Sequence, residues 1–164
     1  MKTPSGYSGL QIGLHWLIAI LIAVNYFSGG AMGAAFDGTI EGTGGASFGS
    51  SIHVYVGLSI LALVLIRLGV RLTQGVPETP AGTPAILTRM GGLAHLLLYG
   101  FLIVVPSLGA FAWFRLSESA GNLHVLIMNL MLIVIGLHTV AALFHHFVLK
   151  DGLILRMLRP TPRS

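Results

Sequence analysis

Four apolar stretches, each long enough to cross a bilayer and nearly free of charge, constrain this chain more than any other feature. A helix rises about 1.5 Å per residue, so roughly 20 apolar residues match a hydrocarbon core about 30 Å thick. Such stretches occupy residues 11–33, 51–72, 90–114 and 123–149. Charged residues make up 9% of the chain, against about 25% in ordinary soluble domains. The expected fold is all-α, an integral membrane four-helix bundle, with residues 1–164 as one transmembrane domain. Lys2 is the only basic residue ahead of the first stretch, which favours a retained helix over a cleaved leader.

The connections and the charges set the orientation. Residues 36–50 are rich in Gly, Thr and Ser and contain Asp37 and Glu41, the pattern of a flexible external loop. Pro77, Pro80 and Pro84 break residues 74–88 into a surface connection, and residues 115–122 form a short polar link. Pro106 falls inside the third stretch, where it predicts a kink supported by neighbouring helices. Lys and Arg near helix ends are retained on the cytoplasmic side. With both termini cytoplasmic, Lys2, Arg67, Arg71, Arg89, Lys150, Arg156, Arg159 and Arg163 lie on that face and only Arg115 lies outside. The net charge of +4 therefore reflects topology, and nucleic acid is not an expected partner; membrane lipid is.

Histidines test this arrangement, because topology places each one at a depth without reference to any ligand. His124 and His138 are fourteen residues apart on the fourth stretch, about 21 Å along a helix and nearly on the same face. His15, near the start of the first stretch, matches His138 in the inner half; His53, opening the second, matches His124 at the outer end. A lone membrane histidine is as readily an interhelical hydrogen bond, but two depth-matched pairs point to two haems stacked across the membrane. Each iron would be clamped by two imidazoles, an arrangement suited to electron transfer. The absence of cysteine excludes iron–sulfur ligation and c-type attachment. Zinc or copper is the competing metal reading, weakened because the pairs are too far apart to share one ion.

Other residues extend the pattern. Arg67 lies fourteen residues after His53 and can pair with haem propionates or snorkel, as Arg71 can, to inner-leaflet headgroups; position alone leaves both readings open. His145, seven residues after His138, falls on the same face nearer the cytoplasm. There it can meet a quinone headgroup and shuttle its proton, or serve as a propionate partner or interfacial histidine. His146 follows it, and His95 has no depth-matched histidine left and reads as support, with Tyr99 one turn on. Gly57 and Gly136 sit close to ligand candidates, and Gly29 with Gly33 has the spacing of a close-packing motif. Trp16 reads as packing or an interfacial anchor.

Leu10-Gln11-Ile12-Gly13-Leu14-His15-Trp16-Leu17, Ile52-His53-Val54, Arg67-Leu68, Arg71-Leu72 and Gly136-Leu137-His138 through His145-His146 together resemble the bacterial cytochrome b561 family of small four-helix di-haem proteins. The ending Lys150-Asp151-Gly152 through Leu155-Arg156-Met157-Leu158 is similar to that family's cytoplasmic tail. The resemblance implies two b-type haems with iron held by His15, His53, His124 and His138, a bacterial inner-membrane location, and electron exchange with ubiquinone or a related quinone. Some members are superoxide oxidases, passing the electron of superoxide to ubiquinone, which makes superoxide the implied outer one-electron donor. The alternative is a haem-anchoring relay for a separate dehydrogenase or hydrogenase; a scaffold or transporter without redox function is a third reading. The chain departs from the family in its short outer link at residues 115–122. Its outer surface, with Asp37, Glu41 and Glu118 against Arg115, also has a charge balance that does not favour an anionic substrate.

Overall fold

A computed structural model describes residues 6–80 and 82–160; Lys2 and Arg163, counted above on the cytoplasmic face, lie outside the described residues. Four helices run in sequence, α1 (Gly9–Glu41), α2 (Phe48–Gln74), α3 (Ala85–Arg115) and α4 (Glu118–Phe144). A π-helical turn (His145–Leu149) prolongs α4, and a short 3-10 turn (Ile154–Met157) follows. All four helices are long and apolar enough to cross a membrane. Among the described residues there is no strand.

Local chemistry explains where each helix starts. Ser8 and Gln11 form a reciprocal capping box at α1, and Ser47 and Ser50 do the same at α2. The Ser117 hydroxyl accepts from the Ala120 amide to open α4. The helices outrun their apolar cores. α1 does not stop near Gly33 but continues through Asp37 to Glu41, so the expected loop at 36–50 shrinks to residues 42–47. It ends where Gly42 turns left-handed, at φ 69°, and its amide returns to the Gly38 carbonyl. The link expected over 115–122 is likewise only Leu116 and Ser117, because α4 begins at Glu118. Beyond the hydrocarbon core a helix needs no apolar side chains, only its own backbone hydrogen bonds and water.

α1 packs on α2, α2 on α3 and α3 on α4, whereas α1 and α4 have no comparable contact and leave a seam. Gly49 lets the first pair close: a Cβ there would stand 2.7 Å from the Ala31 methyl. Large apolar side chains such as Phe27, Tyr55, Leu72 and Val140 face outward, as a bilayer requires. The end that carries the start of α1 and the tail after α4, called proximal here, is tied across elements. Ser8 Oγ donates to Gln74 Oε1 (2.7 Å), Gln11 Nε2 to the Gly75 carbonyl (2.9 Å) and Trp16 Nε1 to the Met157 carbonyl (2.8 Å). Arg156 Nη1 donates to the Glu78 carbonyl (2.6 Å), so the tail clasps both α1 and the α2–α3 connection.

Candidate functional site

At the distal end, early residues of α2 and α4 bring His53 and His124 together, with ring centres 6.2 Å apart and planes at 79°. Each ring is braced by a neighbouring helix. His53 Nδ1 donates to the Asn25 carbonyl on α1 (3.0 Å), and the Ser28 hydroxyl lies 3.2 Å away. His124 Nδ1 donates to the carbonyl of Val105, the residue before Pro106 on α3 (2.8 Å). A carbonyl only accepts, so Nδ1 carries the proton and Nε2 keeps the lone pair a metal needs.

Both rings line a cavity of about 470 Å³ that reaches all four helices, within the roughly 300–1,000 Å³ range of cofactor pockets. Glycines clear it. A Cβ on Gly109 would stand 3.0 Å from the His124 ring, and one on Gly29 would stand 4.0 Å from His53. Gly29 and Gly33 therefore line the cavity, and a Cβ at Gly33 would meet nothing within 4 Å, so the pair does not make the close helix contact its spacing predicts. Gly57 also lines the cavity, while a Cβ on Gly136 would meet open space. Asn25 Oδ1 is buried beside the cavity with no hydrogen-bond partner among the described residues. Metal–imidazole bonds run about 2.0–2.1 Å, so two rings sharing one ion stand roughly 6 Å apart centre to centre. The separation, the free Nε2 atoms and the cleared apolar walls fit a bis-imidazole haem.

The proximal cluster, one fourteen-residue step along α4, is built differently. His138 meets His95 of α3, with ring centres 5.2 Å apart and planes at 73°, while His15 of α1 lies within electrostatic reach of both and of Arg67. His95 thus has a partner at its own depth, contrary to the sequence reading. α3 begins at Ala85, five residues before the apolar stretch, which puts His95 about 15 Å into its helix, level with His138. Only His95 is braced, through Nδ1 to the Gly91 carbonyl of its own helix (2.8 Å). Arg67 turns into the bundle: Nη1 donates to the Gln11 carbonyl (2.8 Å) and Nε to the Tyr99 hydroxyl (3.2 Å). Arg71 lies 5.8 Å from the Tyr99 ring centre. Among the described residues no three His, Cys, Asp or Glu side chains converge as a bare metal ion would require.

His145 sits at the proximal mouth, where its Nδ1 lies 2.5 Å from Asp151 Oδ2. Asp151 Oδ1 also accepts from the Leu153 amide (3.0 Å). Burial pushes the Asp151 carboxyl upward, but the hydrogen bonds from His145 and Leu153 and the charges of His145 and Arg156 outweigh it and hold the carboxyl below its ordinary range. His146 packs edge-on against Phe147 instead. Asp151 and Asn25 were the functional candidates missed from sequence. A solitary amide inside an apolar span was the available signal for Asn25, whereas Asp151 depends on a chain reversal that no local pattern announces.

A multi-pass helical bundle whose facing imidazoles are braced around an apolar slot has the architecture of membrane b-type cytochromes. The chain belongs to the prokaryotic cytochrome b561 family, whose model matches residues 6–160. It is 43% identical over 160 residues to a cytochrome b562 of Cereibacter sphaeroides, covering 98% of this chain and 99% of that one. It is 29% identical to a probable superoxide oxidase CybB of Yersinia pestis, over 93% of this chain and 95% of that one. It is 26% identical to cytochrome b561 homolog 1 of Escherichia coli, over 93% and 96% of the respective chains. The protein is thus a multi-pass electron-transfer cytochrome of a bacterial membrane with b-type haem as its cofactor.

Proposed function

We propose that this cytochrome holds two b haems and moves single electrons across the inner membrane between an outer one-electron donor and ubiquinone or a related quinone. The observation that supports this reading is the pair of imidazole contacts fourteen residues apart on α4, His124 with His53 and His138 with His95, with His15 within electrostatic reach of the second pair. His53 and His124 hold the distal haem; His138 and His15 hold the proximal one. When bound, haem iron would supply reversible one-electron exchange, held through the imidazoles of these histidines. The chain's own contribution is to brace the rings, exclude water from an apolar slot and place Arg67 where its remaining N–H groups can pair with propionates.

The excess of basic residues near the proximal helix ends supports a cytoplasmic side for both termini and so for the proximal end. His145 is then the contact for a quinone headgroup on that side. Superoxide is the proposed outer donor, which makes the protein a superoxide:ubiquinone oxidoreductase; the Yersinia relative is named a probable superoxide oxidase, which supports the donor. One observation favours a second reading, a haem-anchoring relay for a separate dehydrogenase or hydrogenase: the distal mouth is lined by Asp37, Glu41 and Glu118, a poor approach for an anion. Purified protein is expected to show a reduced-minus-oxidised b-type spectrum with two haems per chain. Superoxide-dependent quinone reduction by the isolated protein supports the self-contained enzyme. Haem reduction only with a copurified dehydrogenase supports the relay, and absence of a b-type spectrum overturns both.

A further inference from the structure

In a continuing α-helix, six residues turn the chain by about 600° and carry it about 9 Å onward, so Asp151 would stand on another face than His145. Here the π-helical turn and the left-handed Lys150 (φ 52°) fold the chain back. The Lys150 amide returns to the His145 carbonyl, the Asp151 amide approaches the same oxygen at 3.4 Å, and the carboxylate meets Nδ1. The two side chains are only 11% and 14% exposed. His145 Nε2 has no hydrogen-bond partner among the described residues and is not sealed inside. Turns of this π type recur at functional sites.

We propose that Asp151 is a positioning residue for proton transfer at the proximal mouth, holding His145 so that Nε2 is the nitrogen that hands a proton to a quinone carbonyl. This deepens the quinone reading above and rests on it. The carboxylate accepts from Nδ1–H, fixes that tautomer, and stabilises the imidazolium without taking its proton. The balance is that of quinone reduction: two electrons arrive one at a time from the cytochrome and each C=O becomes C–OH. One proton leaves His145 Nε2 and is replaced from the cytoplasmic solution; the second comes from that solution directly. The charged neighbours are Lys150, between the pair in sequence; His146, beside His145; and Arg156, whose guanidinium is held on the Glu78 carbonyl. No hydrogen bond joins any of them to Nε2.

The test uses the haem-loaded protein, pre-reduced and mixed with a short-tailed ubiquinone, with haem reoxidation followed optically from pH 5 to 9. Asp151→Asn is expected to slow reoxidation about tenfold or more near pH 7.5, with the rate recovering as pH falls and with haem content and spectrum unchanged. Asp151→Glu, which keeps the charge, is expected to keep the wild-type pH profile at a lower rate and serves as the comparison if the amide variant loses haem. Wild-type kinetics in Asp151→Asn overturn the proposal, as does equal slowing at every pH in both variants, the mark of a structural role. Failure of the wild-type protein itself to react with quinone overturns the quinone reading, and this proposal with it.

Discussion

The distal and proximal histidine groups sit on the same face of α4 yet differ in how they are held. Distally there are two rings, each hydrogen-bonded to a carbonyl on an adjacent helix, in a slot cleared by glycine. Proximally there are three rings, of which only His95 is braced, beside Arg67 and Arg71. The distal arrangement admits one pairing; the proximal one has an imidazole to spare. Rigidity is therefore built where each ring meets a carbonyl of an adjacent helix, and choice remains where three helices bring rings together.

The most severe way to break this comparison is His124→Ala, which is expected to lower the haem-to-protein ratio from two to one and leave the proximal signal intact. Equal loss of both haems in a folded protein contradicts separate sites. Next, His15→Ala is expected to abolish the proximal low-spin signal in electron paramagnetic resonance, whereas His95→Ala keeps it with shifted g-values. The reverse outcome transfers the ligand role from His15 to His95. A smaller effect is expected from Gly109→Ala, whose new methyl crowds the His124 ring at 3.0 Å. Overpacking of this kind costs about 1–3 kcal/mol; thermal unfolding and the distal spectrum should register it while the proximal spectrum does not.

The smallest expected effect concerns the tail. Because the Asp151 carboxyl is held below its ordinary value of 3.8, its pairing stabilises the fold fully above that pH and is lost as pH falls through the lowered value. Protease protection of residues 145–159 should accordingly hold from neutral pH to about pH 4 and then fail, a dependence that Asp151→Asn removes.

The four spans, the place of Pro106 inside the third and the meeting of His53 with His124 were legible in the sequence, because apolar length and depth need no knowledge of side-chain packing. Helix ends were less so. Asp37, Gly38, Thr39 and Glu41 look like a loop, yet they form the last turns of α1, since outside hydrocarbon polarity no longer forbids a helix. That misreading has a counterpart in α3, where an early start at Ala85 moves His95 level with His138. Arg67 could not be assigned from position because a long side chain can turn either way; its bonds to Gln11 and Tyr99 show that it turns inward.

The clasp between Trp16 and the Met157 carbonyl joins residues 141 positions apart. At about 5–20 residues per second, synthesis separates their emergence by roughly 7–28 s. Throughout that interval the Trp16 indole N–H has no Met157 carbonyl to meet. Closure of the clasp therefore waits for the tail, and a chain arrested before Met157 lacks this partner for the Trp16 indole N–H.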